Sequence, residues 1–318
     1  MFRTISITLA VISALIFTGC GDYTVNANEH KTPIHNQGAM GLNESETGSG
    51  DTIYIFMPLI EGGTFTMGCT EEQEDDCWDN ENPAHQVTLS SFRIGKYPVT
   101  QELWRRVMSG NPSWFNSPRL GRNAEQNPVD NVSWYDAQLF ISRLNDTTEM
   151  KFRLPTEAEW EFAARGGLMS RGYKYAGSDN INEIAWYLGN TGGKLSNGAT
   201  RQVGTRAPNE LNLYDMSGNV FEWVNDWYGT YTEKSKIDPQ GPLEGINRVF
   251  RGGSWSVDAK FCRVSERFNG SPDTRLNIIG LRLALDPVEE EVEEAPFKEN
   301  SASRLRAPNS LPVRILPQ

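Results

Sequence analysis

Between residues 251 and 282 the chain reads Arg251-Gly-Gly-Ser-Trp255, then Cys262-Arg-Val-Ser-Glu-Arg267, and closes on Gly280-Leu-Arg282. A glycine pair lets backbone turn or pack where a Cβ would clash, so Gly252 and Gly253 mark a tight approach just before Ser254 and Trp255. Arg263 and Arg267 follow four residues apart, and Gly280 precedes a last apolar run. The pattern predicts short strands joined by a long loop that carries aromatic and guanidinium groups. It holds one thiol, Cys262.

Outward from this stretch, the 318-residue chain is long enough for one large domain. Its 29 Gly, 17 Pro and nine Trp point to a loop-rich fold and not a helical bundle. The net charge of −11 excludes the basic footprint of a general nucleic-acid binder. Much of the acid sits in two runs, Glu71–Asp79 and Glu289–Glu294, which read as solvated surface.

The first residues read as an export signal: Arg3, an apolar run from Ile5 to Phe17 too short for a permanent span, and then Phe17-Thr-Gly-Cys20. That last tetrad resembles a bacterial lipobox, in which the cysteine is lipidated. Residues 1–19 are therefore expected to be a lipoprotein signal peptide, Cys20 the lipid anchor, and 20–50 a flexible tether. The expected location is the cell envelope, tethered to the membrane by lipid and facing the periplasm or the surface, with the outer membrane favoured. An exported chain meets an oxidising compartment. Cys69 and Cys77 enclose a short acidic loop and are expected to pair; a metal site there would lack His and a zinc spacing. Cys262 is then left unpaired.

From Ile53 the chain alternates as strands do, and Gly62-Gly63 opens a second strand ending near Met67; a third covers Gln86–Leu89. Thr100 is the expected cap of a helix bearing Leu103, Trp104 and Val107. Ser133 caps a helix from Trp134 with the stripe Ala137, Phe140, Ile141 and Leu144. Thr156-Glu-Ala-Glu159 is a capping box for a helix over 157–165, ended by Gly166-Gly167. Residues 168–213 read as mostly loop, long enough to suggest function or bound ions. After Leu285 the pattern stops, so the folded domain is placed at 51–286 and residues 287–318 are expected to be a disordered acidic tail.

Gly62-Gly-Thr-Phe-Thr-Met-Gly68, Pro83-Ala-His85, Pro98-Val-Thr100, Arg153-Leu-Pro-Thr-Glu-Ala-Glu-Trp-Glu161, Gly218-Asn-Val-Phe-Glu-Trp223, Arg251-Gly-Gly-Ser-Trp255 and Gly280-Leu-Arg282 together resemble the formylglycine-generating enzyme family, also called the sulfatase-modifying factor family. The resemblance runs from about residue 53 to 285. It implies a single loop-rich α+β domain of the formylglycine-generating enzyme type, related to the C-type lectin fold.

The family's enzymes oxidise a sulfatase cysteine to formylglycine with oxygen and copper, and two neighbouring thiolates hold the Cu(I). Here the corresponding segment has one cysteine, Cys262. Val257 stands where the first of the pair would be, and Ile278 replaces a substrate-binding Asn, so copper is not expected. Ser254, Arg263, Arg267 and Asp273 are kept. The resemblance also implies a structural calcium held by Asp215 and Glu222 through side chains and by Gly218 and Val220 through carbonyls, a hard oxygen set. A second family calcium site is altered around Ile184-Ala185-Trp186.

The expected function is therefore a non-oxidase binding or accessory module. Its ligand face would be Ser254, Trp255, Arg263 and Arg267, taking a peptide, protein or glycan and no nucleic acid. The alternative is a formylglycine-generating oxidase, or a related oxidative enzyme, with Cys262 as its one catalytic thiolate. Trp255 and Trp227 are the tryptophans placed to floor a ligand cleft, and His85 reads as a hydrogen-bonded structural histidine.

Overall fold

The computed structural model describes residues 53–192, 198–287 and 310–315. In chain order the first elements are β1 (Ile53–Ile60), β2 (Gly63–Met67), β3 (His85–Leu89), β4 (Phe92–Ile94), α1 (Gln101–Met108), α2 (Ser117–Leu120) and α3 (Trp134–Thr148). Next come β5 (Phe152–Arg153), α4 (Glu157–Ala164), α5 (Ile181–Ile184), β6 (Phe221–Trp227), β7 (Lys236–Ile237) and β8 (Arg248–Arg251). The last are β9 (Arg267–Gly270), β10 (Ile279–Leu281), β11 (Ala284–Leu285) and β12 (Ser310–Ile315). They form three sheets with strand orders β12-β1-β4-β11-β5, β10-β6-β8-β9 and β2-β3-β7.

The helices begin where short-range chemistry places them. Thr100 accepts the Leu103 N–H, and Ser133 and Thr156 each close a capping box, with Asp136 and Glu159 returning a bond to the cap N–H. Each cap is worth about 1 kcal/mol because it satisfies amide groups that have no partner within the helix. The α3 stripe buries Ala137, Phe140, Ile141 and Leu144, and Phe140 stacks on Trp104 of α1 with centroids 4.9 Å apart. The helix α4 is buried on every side, so no amphipathic stripe marks it.

The glycine pair at 252–253 does what its sequence position implied. Both residues have positive φ (97° and 77°), and a Cβ on Gly253 would lie 2.4 Å from the Cys262 sulfur. The segment it opens is more regular than two strands and a loop. β8 and β9 pair antiparallel, while β10 lies parallel to β6.

The tail reading needs correction. Residues 310–315, expected in a disordered acidic tail, form β12 antiparallel to β1, with Ile53 opposite Ile315 and Pro58 opposite Ser310. β1 thus lies between β12, which pairs with residues 53–58, and β4, which pairs with Leu59 and Ile60 and is followed by Lys96 donating to the Phe56 carbonyl. The signal segment, Cys20 and the tether lie outside the described residues. No described helix is long and apolar enough to cross a membrane.

Candidate functional site

The residues expected to form a ligand face divide into two groups. Ser254 and Arg263 are fully buried, and Arg267 is 2% exposed. Arg263 is clamped by Glu81 on two hydrogen bonds (2.6 and 2.9 Å) and by Glu266 (2.6 Å). Arg267 makes a fork on Glu157, with Nε to Oε1 at 2.8 Å and Nη2 to Oε2 at 2.6 Å. Arg251 reaches Glu161 through Nη2 alone, its Nη1 donating to the Ser265 carbonyl, and Arg282 meets Glu222. These guanidinium groups hold the domain together: a dehydrated cation needs a matched carboxylate, and each has one. Ser254 and Arg263 are thus corrected from ligand contacts to framework, and Arg267 keeps only an edge on a cavity beside β6.

Trp255 is the member left at the surface, half-buried. Its indole N–H donates to the Asn277 carbonyl (3.0 Å), and its ring meets Phe115 edge to face at 5.0 Å. Ile278, in place of the family's substrate-binding Asn, is partly buried against the core and offers no amide there. Next to Phe115, Trp114 is 47% exposed and carries the Arg119 guanidinium at 3.6 Å from its ring. Under this loop lies Asp130, fully buried, accepting the Trp114 N–H (2.7 Å) and the Phe115 N–H (3.3 Å). Burial pushes its pKa up to about 7, partly opposed by those two donors. Trp114, Phe115 and Asp130 escaped the sequence reading. Only the Trp-Phe pair within an Asn- and Pro-rich loop could have flagged them.

Cys262 is fully buried and is the only free cysteine among the described residues, since Cys69 and Cys77 form a disulfide. Burial pushes its thiol up to about 12, with the Ser254 backbone opposing. A thiol held neutral and out of solvent is a poor nucleophile and a poor metal ligand. The set does not fit Cu(I), which needs paired thiolates. The catalytic candidacy of Cys262 is corrected accordingly.

The calcium set does not fit as carried over either. Glu222 Oε1 accepts Arg282 Nε (3.1 Å) and Nη2 (2.8 Å), while Oε2 accepts Arg282 Nε (2.9 Å) and the Trp160 indole (2.7 Å). Each oxygen already accepts two hydrogen bonds, and a guanidinium occupies the place of a cation. Gly218 has its own structural reason, since a Cβ there would fall 2.4 Å from the Trp186 carbonyl oxygen. Asp215 binds the Gly204 N–H (2.8 Å) and the Asn219 amide (3.2 Å), and burial raises its pKa to about 6. Val220 is buried within the same turn. No group of three or more His, Cys, Asp or Glu side chains among the described residues is placed to hold a metal.

Comparison with known proteins agrees with this domain architecture. Residues 52–287 match the sulfatase-modifying factor enzyme 1-like domain, and the chain belongs to that family. It is 32% identical to the Chaperone protein LppX of Paenibacillus barcinonensis, over 75% of this chain and 94% of the relative. It is 36% identical to the formylglycine-generating enzyme of Streptomyces coelicolor, over 71% of this chain and 88% of that enzyme. Against the Treponema denticola variable protein 1 the TM-score is 0.65 at 33% identity, covering 74% of this chain and 99% of the other. The family thus includes formylglycine-generating enzymes and a protein named as a chaperone.

Proposed function

We propose that the chain is a lipid-anchored, non-oxidase binding or accessory module of the cell envelope, with a protein or peptide partner. The observation that carries this reading is the state of Cys262: one thiol, fully buried, its pKa pushed up to about 12. The oxidase chemistry of the family needs an accessible pair of thiolates, and the other two described cysteines are consumed in a disulfide. The binding surface would be the aromatic loop of Trp114, Phe115 and Trp255 with Arg119. Trp114 and Arg119 are its exposed members, beside the buried Phe115 ring, and aromatic and guanidinium groups on a rigid base are the usual anchors of protein interfaces. The chaperone title of the LppX relative, which aligns over nearly its full length, supports a protein partner.

The test is mass spectrometry of a sulfatase peptide bearing Cys-x-Pro-x-Arg after incubation with the protein, Cu(I) and oxygen. We expect the peptide to keep its thiol. Conversion to an aldehyde that Cys262→Ser abolishes would restore the oxidase reading favoured by the 36% identity to the Streptomyces enzyme.

A further inference from the structure

A cavity of about 450 Å³ opens beside the end of β6, away from the residues of the Trp255 loop. Its size falls in the range of small-molecule sites. The N-terminal turn of α4, the end of β6, the segment 229–242 and Arg267 of β9 wall it. Four polar groups in it have chemistry that the fold leaves unused.

Tyr231 is only 7% exposed, yet its hydroxyl has no hydrogen-bond partner. The Glu157 carboxylate lies near enough to feel it, but no bond of ordinary length and angle forms. An unsatisfied buried hydroxyl costs about 1–3 kcal/mol, so its retention calls for an explanation. Asp226 is 4% exposed and accepts the Glu157 N–H at 2.9 Å. Burial first, and then the Glu157 charge, pushes it up to about 8, so at neutral pH it holds a proton and can donate. His85 places Nδ1 3.1 Å from the Pro83 carbonyl; donating there leaves Nε2 as an acceptor. Lys236, 5.9 Å from the Tyr231 ring centroid, makes no ion pair with a described residue.

The charges decide the ligand. Arg267 is neutralised by its fork on Glu157, which leaves the Lys236 ammonium as the cation of this lining with no carboxylate partner among the described residues, free to meet an anion. Of these four groups Lys236, Tyr231 and Asp226 can donate and His85 can accept, while Thr230 and Gln240 at the rim can do either. The aromatic walls Trp227 and Tyr231 suit the C–H face of a compact ring.

We propose that this cavity binds a small hydroxylated carboxylate of the uronic-acid type, with Lys236 and Tyr231 receiving the carboxylate and His85 and Asp226 the hydroxyls. This site is separate from the protein-binding loop and stands whether or not that reading does.

The experiment uses the full chain in detergent, with D-glucuronate, D-glucose and acetate as probes, read by calorimetry and saturation-transfer NMR. We expect glucuronate to bind with a Kd of about 1 mM or tighter, and glucose and acetate at least roughly tenfold more weakly. Lys236→Met should weaken glucuronate about tenfold and Tyr231→Phe about fivefold. Both variants are checked for native circular dichroism, since Phe fills the place of Tyr and Lys236 is only half-buried. The groups facing Asp226 are Glu157 and Glu159 of α4, Arg267 of β9 and Arg248 of β8. Ionisation of Asp226 adds a negative charge beside an anion, so affinity should fall as pH rises through about 8, and Asp226→Asn should remove that fall. The proposal is overturned if glucuronate does not bind the folded chain, if glucose or acetate binds as well as it does, or if Lys236→Met binds it normally.

Discussion

Arginine does two different jobs in two regions of this molecule. In the stretch from 251 to 282 the guanidinium groups of Arg251, Arg263 and Arg282 are fully buried, each on a glutamate. Nearer the surface, Arg119 of α2 lies 3.6 Å over Trp114, Arg206 3.8 Å over Trp186 and Arg248 of β8 3.5 Å over Trp227. The first set has lost its water and is fixed by charge; the second keeps solvent on one side and stacks on an aromatic face. Arg263 and Arg267, expected at a ligand face, belong to the first kind. A motif arginine is evidence of framework until its exposure is known.

The sharpest way to break this contrast is to unpair a buried cation. Glu81→Ala leaves Arg263 with Glu266 as its one carboxylate partner and should cost about 3–5 kcal/mol in urea unfolding, enough to threaten folding. A loss under about 1 kcal/mol would mean that the buried network is not what holds this region. Next, Cys69→Ser with Cys77→Ser frees the short loop that carries Gln73 into the same network. For a loop of this length the expected loss is about 2–3 kcal/mol, read as the difference between the oxidised wild type and the variant.

A third test uses pH. Asp130 and Glu266 are raised to about 7 and Asp226 to about 8, burial being the first cause in each case. The folded chain therefore binds more protons than the unfolded one between about pH 4 and those values, and stability falls as pH rises through this window. Glu81 and Glu157, held below the ordinary carboxylate value by their arginines, act in the opposite sense: their contribution is present above about pH 4.5 and is lost as pH falls further. Thermal melts should thus peak in mild acid and fall by several degrees towards about pH 8. Asp130→Asn and Asp226→Asn together should flatten the alkaline side; an unchanged slope would mean that these carboxyls are already ionised.

The surface set should respond weakly. Arg119→Ala and Trp114→Ala are each expected to shift stability by less than about 0.5 kcal/mol while reducing partner binding. The smallest expected effect is that of a chelator. With Glu222 spent on Arg282 and Trp160, EDTA should leave the melting temperature unchanged, and a drop of several degrees would return calcium to the Asp215–Glu222 segment.

What was legible in the sequence is what acts over a few residues. The caps at Thr100, Ser133 and Thr156 and the stripe of α3 need only near neighbours, and each stands where its residues placed it. The family's ordered motifs fixed the domain type in the same way. The helix α4 was legible from its cap alone, because full burial erases the amphipathic pattern. The strand β12 was missed because composition carries no information about a pairing partner more than 200 residues earlier in the chain.

The sequence by itself determined the family, the domain type, the helix starts and the count of thiols, because these depend on residue identity and local spacing. Only the tertiary structure decided that Arg263 is framework and Trp255 surface, that Cys262 is sealed from solvent, and that Asp226, Tyr231, His85 and Lys236 share one cavity. The reason is physical: a side chain's charge state and accessibility are set by partners such as Glu81, 182 residues from Arg263, which only folding brings within bonding distance.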